Sequence, residues 1–127
     1  MKAERKGQMG RCKSIIIDGV EYTPSTPPAK KRDGMKYVIC RTYSAGVFAG
    51  YLESRNGQEV VMRDARRIWY WTGAASLSQL AMEGSSNPEN CKYPCAVDRV
   101  ELLQTIEILD CTEKARLNIQ GTPIWKS

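Results

Sequence analysis

Residues 36–71, "KYVICRTYSAGVFAGYLESRNGQEVVMRDARRIWYW", set the fold class, because three strand-like runs follow one another there across short breaks. In the first run Tyr37, Ile39, Arg41 and Tyr43 alternate with Val38, Cys40 and Thr42, the period-two pattern of a strand with one apolar face. After the Ser44-Ala45-Gly46 break a second strand runs from Val47 to Glu53. Its small residues Ala45, Gly46, Ala49 and Gly50 mark a bulge or a close approach of another backbone. Asn56-Gly57 carries a hairpin signal. A third strand resumes at Gln58, with a break near Asp64-Ala65, and Gly73 ends it. Three short-linked strands predict an antiparallel meander.

Beyond Gly73, Ser76-x-x-Gln79 has the form of a capping box, Leu77, Leu80 and Ala81 supply a short apolar stripe, and Gly84 suits the position after a helix. "SSNPENCKYPC" is a loop of turn formers. "AVDRVELLQTIEILD", residues 96–110, predicts one long strand with a bulge near Leu103-Gln104. Thr112 caps a last helix that Gly121 and Pro123 terminate. Towards the other end, "SIIIDGVEYTP" predicts a short hairpin turning at Asp18-Gly19. It is followed by "PSTPPAKKRDG", a proline-rich basic linker with no means of burying itself. The expected architecture is therefore a single α+β core domain over residues 36–127, a small mostly antiparallel sheet with two short helices. Residues 1–35 precede it as basic arm, hairpin and linker.

The net charge of +5 is unevenly distributed. Lys2, Arg5, Lys6, Arg11, Lys13, Lys30, Lys31, Arg32 and Lys36 face only Glu4, Asp18, Glu21 and Asp33 in the first 36 residues. The rest of the chain is balanced. A basic arm is ordinarily a solvated tail; its alternative is non-specific contact with nucleic acid through Lys2, Arg5, Lys6, Arg11, Lys13, Lys30, Lys31 and Arg32. No apolar run reaches membrane-span length and no secretory leader is visible, which predicts a cytoplasmic protein without membrane contact.

The chemistry-bearing residues are few. The chain has no histidine, so neither a Ser-His nor a Cys-His pair can form. No phosphate-binding glycine loop is present, and Asp98, Glu101, Glu107 and Asp110 read as the outward positions of a charged strand. Five cysteines, at 12, 40, 91, 95 and 111, are an odd number. Cys91 and Cys95 provide only half of a zinc site, so buried or incidental thiols are the simpler reading. These features predict a non-enzymatic protein with neither cofactor nor metal.

The candidate site is "DARRIWYWTGAASLSQLAMEG", residues 64–84. By strand parity Arg67, Trp69 and Trp71 share one face and Arg66, Ile68 and Tyr70 the other. If Ile68 and Tyr70 turn inward, a strip of cation and indoles is exposed that could stack on planar rings and pair with phosphate. If the tryptophans turn inward, they anchor a core or an oligomer seam. Gly73, Ala74 and Ser76 open a helix beside the arginines, where free N–H groups favour an anion. The candidate ligand-binding set is Arg66, Arg67, Trp69, Trp71, Gly73, Ala74 and Ser76, with Tyr43 and Phe48.

The pattern "YSAGVFAG…ARRIWYWTGAASLSQLA…CKYPC…EILDCTEKA", from about Lys36 to Trp125, resembles a family of small proteins from tailed phages and prophages. In layout and size the chain is also similar to the first class of Thoeris anti-defence proteins. That resemblance implies a homo-oligomeric sponge in the host cytoplasm that sequesters a cyclic ADP-ribose-type signal. It further implies a nucleotide pocket of aromatics and arginines near a dimer interface, with no ligand residue transferable to a position here. The alternative is a phage accessory or structural interaction protein whose arm touches nucleic acid.

Overall fold

The computed structural model describes residues 27–126 and, as strand backbone alone, residues 15–17 and 20–22. Ile15–Ile17 (β1) pairs antiparallel with Val20–Tyr22 (β2), the hairpin expected from the sequence. The arm residues Lys2, Arg5, Lys6, Arg11 and Lys13 lie outside the described residues.

Five strands build the main sheet: Lys36–Thr42 (β3), Val47–Asn56 (β4), Glu59–Arg67 (β5), Val97–Leu102 (β6) and Thr105–Asp110 (β7). All neighbours are antiparallel, in the order β6-β5-β4-β3-β7. The meander is as expected, and Gly57 takes φ 64 in the turn between Asn56 and Glu59. Residues 96–110 differ from expectation. They form two strands on opposite edges of the sheet, and Leu103-Gln104 is a corner between them rather than a bulge in one strand.

That corner dictates the shape of the sheet. Two linking residues reach about 11 Å at most, whereas the edges of a flat five-stranded sheet stand about 19 Å apart. The sheet must therefore coil until its edges approach, as in a small barrel. The Tyr43 N–H donates to the Gln104 carbonyl at 2.9 Å and the Thr105 N–H to the Gln58 carbonyl at 3.0 Å, tying the corner to the ends of β3 and of the β4–β5 hairpin. The concave side of the coil explains why Val38, Cys40, Phe48, Val60, Met62, Ala65 and Leu102 form a buried cluster of strand residues alone.

A second cluster lies on the other face, where Tyr37, Ile39, Ala49, Tyr51 and Ile68 meet two helices through Leu80, Ala81, Ala115 and Ile119. Fully burying a side chain such as Ile119 or Leu80 contributes about 2 kcal/mol. Strand β3, lying between β4 and β7, is thus apolar on both faces from Tyr37 to Cys40, and not on one as its alternation predicts. Helix α1 is Leu77–Glu83: Ser76 Oγ accepts the Gln79 N–H, Gln79 Oε1 accepts the Ala75 N–H, and Gly84 closes the helix at φ 77. Helix α2 is Glu113–Gly121, capped by the Thr112 hydroxyl. No helix among the described residues is long and apolar enough to cross a membrane.

The linker also differs from its sequence reading. Its described part, from Pro27, lies on the core: Glu113 N–H donates to the Pro27 carbonyl, Ala29 N–H to the Cys111 carbonyl, and Lys30 N–H to Glu113 Oε1 at 2.7 Å. Pro27 and Pro28 carry no N–H, so α2 meets this backbone with an amide that donates to the Pro27 carbonyl and a carboxylate that accepts the Lys30 N–H.

Candidate functional site

Strand β5 sets the geometry of the arginine–tryptophan segment. Asp64 takes φ 51, and the pairing with β4 shifts by one residue between Tyr51↔Arg63 and Ala49↔Arg66, a β-bulge at the expected break. Val60 and Met62 face the concave core. The extra residue places Ala65 there as well and turns Arg66 to the helical face. Gly50 makes the crossing possible, since a Cβ on it would lie 2.8 Å from Ala65 Cα.

Arg66 is 5% exposed and donates to five backbone carbonyls. Its Nε bonds Pro94. The two terminal nitrogens bond Ile119, Thr122, Tyr93 and Pro123. The carbonyls of Ile119 and Thr122 are at the C-terminal end of α2, where a positive charge is favourable. Burial lowers the guanidinium pKa, and the group bonds no carboxylate. Arg66 therefore clamps α2 and the 93–94 segment to the sheet, and its hydrogen-bonding capacity leaves nothing for a ligand.

Arg67 is committed differently. Its guanidinium lies 4.3 Å from the centre of the buried Phe48 ring and bonds the Ala45 carbonyl. Phe48 belongs to the concave core, and Tyr43 is exposed at the barrel end beside Gln104. Gly73, at φ 84, packs against the backbone of Ser86 and Asn87, leaving no room at its Cα. Ser76 spends its hydroxyl on the helix cap and Ala74 accepts the Trp71 indole N–H at 3.2 Å. The structure thus disperses the predicted anion site, because its arginines are engaged by backbone carbonyls and its helix start by the Ser76 and Gln79 side chains.

Strand parity holds as far as Trp69: Ile68 is buried with the helical core and Trp69 is exposed. It fails at the next pair, where Tyr70 is exposed and Trp71 packs against the core. The reason is that β5 ends at Arg67. From there the backbone bridges to Lys92, with Lys92 N–H donating to the Tyr70 carbonyl at 2.7 Å. Next to it Tyr93 bridges Ile124, and Trp125 N–H donates to the Tyr93 carbonyl.

Three short segments thereby present one surface. Trp69 and Trp125 stack with ring centres 4.9 Å apart and planes 13° from parallel. Lys92 Nζ lies 5.5 Å from Trp69, 5.6 Å from Tyr70 and 5.7 Å from Trp125. Trp69 remains 58% exposed and Trp125 40%, with Tyr70 and Ile124 exposed alongside. Contiguous exposed apolar surface is frequent at binding sites, and an ammonium against aromatic faces adds a charge that suits an anionic planar ligand. The set expected from the sequence holds Trp69 but not Tyr70, Lys92 or Trp125. The last two are brought in by bridges between distant segments that no local pattern signals.

Cys40, Cys91 and Cys111 are buried and Cys95 is exposed. Cys91 turns into its own loop, with Sγ 3.4 Å from Ser85 Oγ. Among the described residues no three His, Cys, Asp or Glu side chains come together as metal ligands would.

No curated protein and no solved structure matches the chain. Residues 35–119 match the family described as "Domain of unknown function (DUF6948)", which spans all five strands of the sheet, α1 and most of α2. By that match over most of its length, the chain belongs to the DUF6948 family.

Proposed function

We propose that this chain is a non-catalytic binding protein that takes up a nucleotide-type ligand on the surface formed by Trp69, Tyr70, Lys92 and Trp125. The carrying observation is the exposed Trp69–Trp125 stack with one ammonium against three rings. A base can stack on indole surface already held parallel, and base–aromatic stacking supplies about 1–3 kcal/mol per base. Lys92 would pair with phosphate. The lack of any histidine supports binding without catalysis. The resemblance to phage anti-defence proteins supplies the specific form of the reading: a homo-oligomeric sponge in the host cytoplasm for a cyclic ADP-ribose-type signal.

Small molecules released from the purified protein are to be identified by mass spectrometry, and binding of cyclic ADP-ribose isomers measured by calorimetry. The expected result is a retained or titratable nucleotide that is lost in Trp69→Ala. Absence of both would falsify the reading. The accessory-protein alternative is favoured by Lys30, Lys31 and Arg32, which are exposed on the docked linker. It expects oligonucleotide affinity that falls steeply when Lys30, Lys31 and Arg32 are changed together to Gln, substitutions that spare the linker's backbone hydrogen bonds to α2.

A further inference from the structure

A cleft of about 310 Å3 opens between β3, β4, β5 and α2, lined by Arg32, Tyr37, Tyr51, Asp64, Arg66 and Gln120. At its floor Tyr37 is 1% exposed, and its hydroxyl is buried with no hydrogen-bond partner. A buried hydroxyl without a partner carries the cost of lost hydration, so its retention calls for an explanation. The Tyr37 ring meets Tyr51 edge-on at 5.0 Å. The Tyr51 oxygen already accepts from Arg116 at 3.3 Å and from Gln120 at 3.2 Å. With both lone pairs engaged, its own hydrogen is left to donate.

The charges point the same way. Arg66 brings a buried positive charge whose hydrogens all serve backbone carbonyls. Arg116 is neutralised by Glu113 at 2.6 Å. Arg32 lies 4.4 Å over the Tyr51 ring and bonds Asp64 at 3.4 Å, both side chains nearly half exposed. Such an exposed pair is worth little and can be exchanged. Arg32 and Arg66 thus outweigh the one carboxylate, and the two buried tyrosines offer hydrogens rather than lone pairs.

We infer that this cleft is a binding site for a compact oxyanion, a phosphate or carboxylate borne on a small molecule, seated on the Tyr37 and Tyr51 hydroxyls beneath Arg32. Arg32 moves from Asp64 onto the ligand. Asp64, at the outer edge, then accepts from a hydroxyl or amine beside the oxyanion. The space holds about ten waters' volume, enough for such a head group with a small organic body. The site is independent of the Trp69–Trp125 surface.

The test is a titration of the full chain, carrying 13C-labelled tyrosine, with inorganic phosphate and separately with acetate, against sodium chloride at matched ionic strength. The expected result is a saturable shift of the Tyr37 and Tyr51 signals. A response to phosphate alone assigns a phosphoryl group, to acetate alone a carboxylate, and to both the oxyanion in general. Tyr37→Phe weakens that binding about tenfold, the loss of one hydrogen bond to a charged group, and leaves the free protein at least as stable because it removes a hydroxyl that bonds nothing. Arg32→Gln, at an exposed position, weakens it as well, and Trp69→Ala leaves it unchanged. A response no different from chloride, shifts confined to other tyrosines, or undiminished affinity in both Tyr37→Phe and Arg32→Gln would overturn the assignment.

Discussion

Arg66 on β5 donates to the Thr122 carbonyl at 2.7 Å, so a guanidinium from the sheet holds the end of the last helix in place. The 93–94 segment converges on the same group through the Tyr93 and Pro94 carbonyls, and Pro123, next to Thr122, adds another. Arg66→Ala removes five hydrogen bonds at once and is expected to cost about 3 kcal/mol or more. Arg66→Lys recovers only part, since an ammonium cannot reproduce the five-donor fork. Urea unfolding midpoints of the two variants check this, with Arg67→Ala, exposed, expected to change far less.

Gly50 stands opposite the bulge at Asp64-Ala65. A Cβ there would lie 2.8 Å from Ala65 Cα and 3.0 Å from the Arg63 carbonyl oxygen, backbone atoms that cannot swing aside. Gly50→Ala is expected to destabilise by about 2 kcal/mol. In an Ala65→Gly background the loss shrinks without vanishing, because the backbone of residue 65 still stands in the way. A thermal-melt double-mutant cycle reads the coupling.

Glu113 is held down to about 2 by the Arg116 guanidinium first, then by the Lys30 N–H and the nearby charges of Arg116 and Lys30. A carboxylate depressed below its ordinary 4.5 contributes stability in full above that value and loses it as pH falls through the folded value. Acid unfolding between pH 4.5 and about 2 should therefore carry a component from this group. Circular dichroism of Glu113→Gln across that window is expected to show the component missing.

Cys95 is exposed, whereas Cys40 and Cys111 are buried and their thiols are pushed up to about 12, mainly by burial. The thiolate is the reactive species. In a Cys12→Ser background one thiol, Cys95, should react rapidly with a maleimide. Cys40, Cys91 and Cys111 should react only at the rate of opening. Intact-mass spectra over time test this; two or more fast thiols would contradict the packing described.

Much of the fold is legible locally. Alternation over Tyr37–Thr42, the Asn56-Gly57 turn, the Ser76 and Thr112 caps and Gly84 all report on neighbours within a few residues, and each stands where the pattern places it. Leu103-Gln104 is different. Continuous β-branched text cannot distinguish a bulge from a corner, because the distinction depends on which distant strand each half joins. The site suffered for the same reason. Arg66 and Arg67 look alike in sequence, yet one extra residue at Asp64 sends Arg66 beneath α2 and Arg67 onto Phe48. Trp125 reaches Trp69 only through the Tyr93–Ile124 bridge.

The closing of the sheet has a consequence for how the protein is made. Lys36 on β3 meets Asp110 on β7, 74 residues later, and β3 is the strand with both faces buried. On the ribosome β4 follows β3 within a few residues, but the other edge of β3, along Val38 to Arg41, has no neighbour until β7 is synthesised. The nascent chain therefore carries an open strand edge from the synthesis of β3 until that of β7, and such an edge invites pairing with other chains. The sheet is complete only when β7 joins β3, which needs nearly the whole domain.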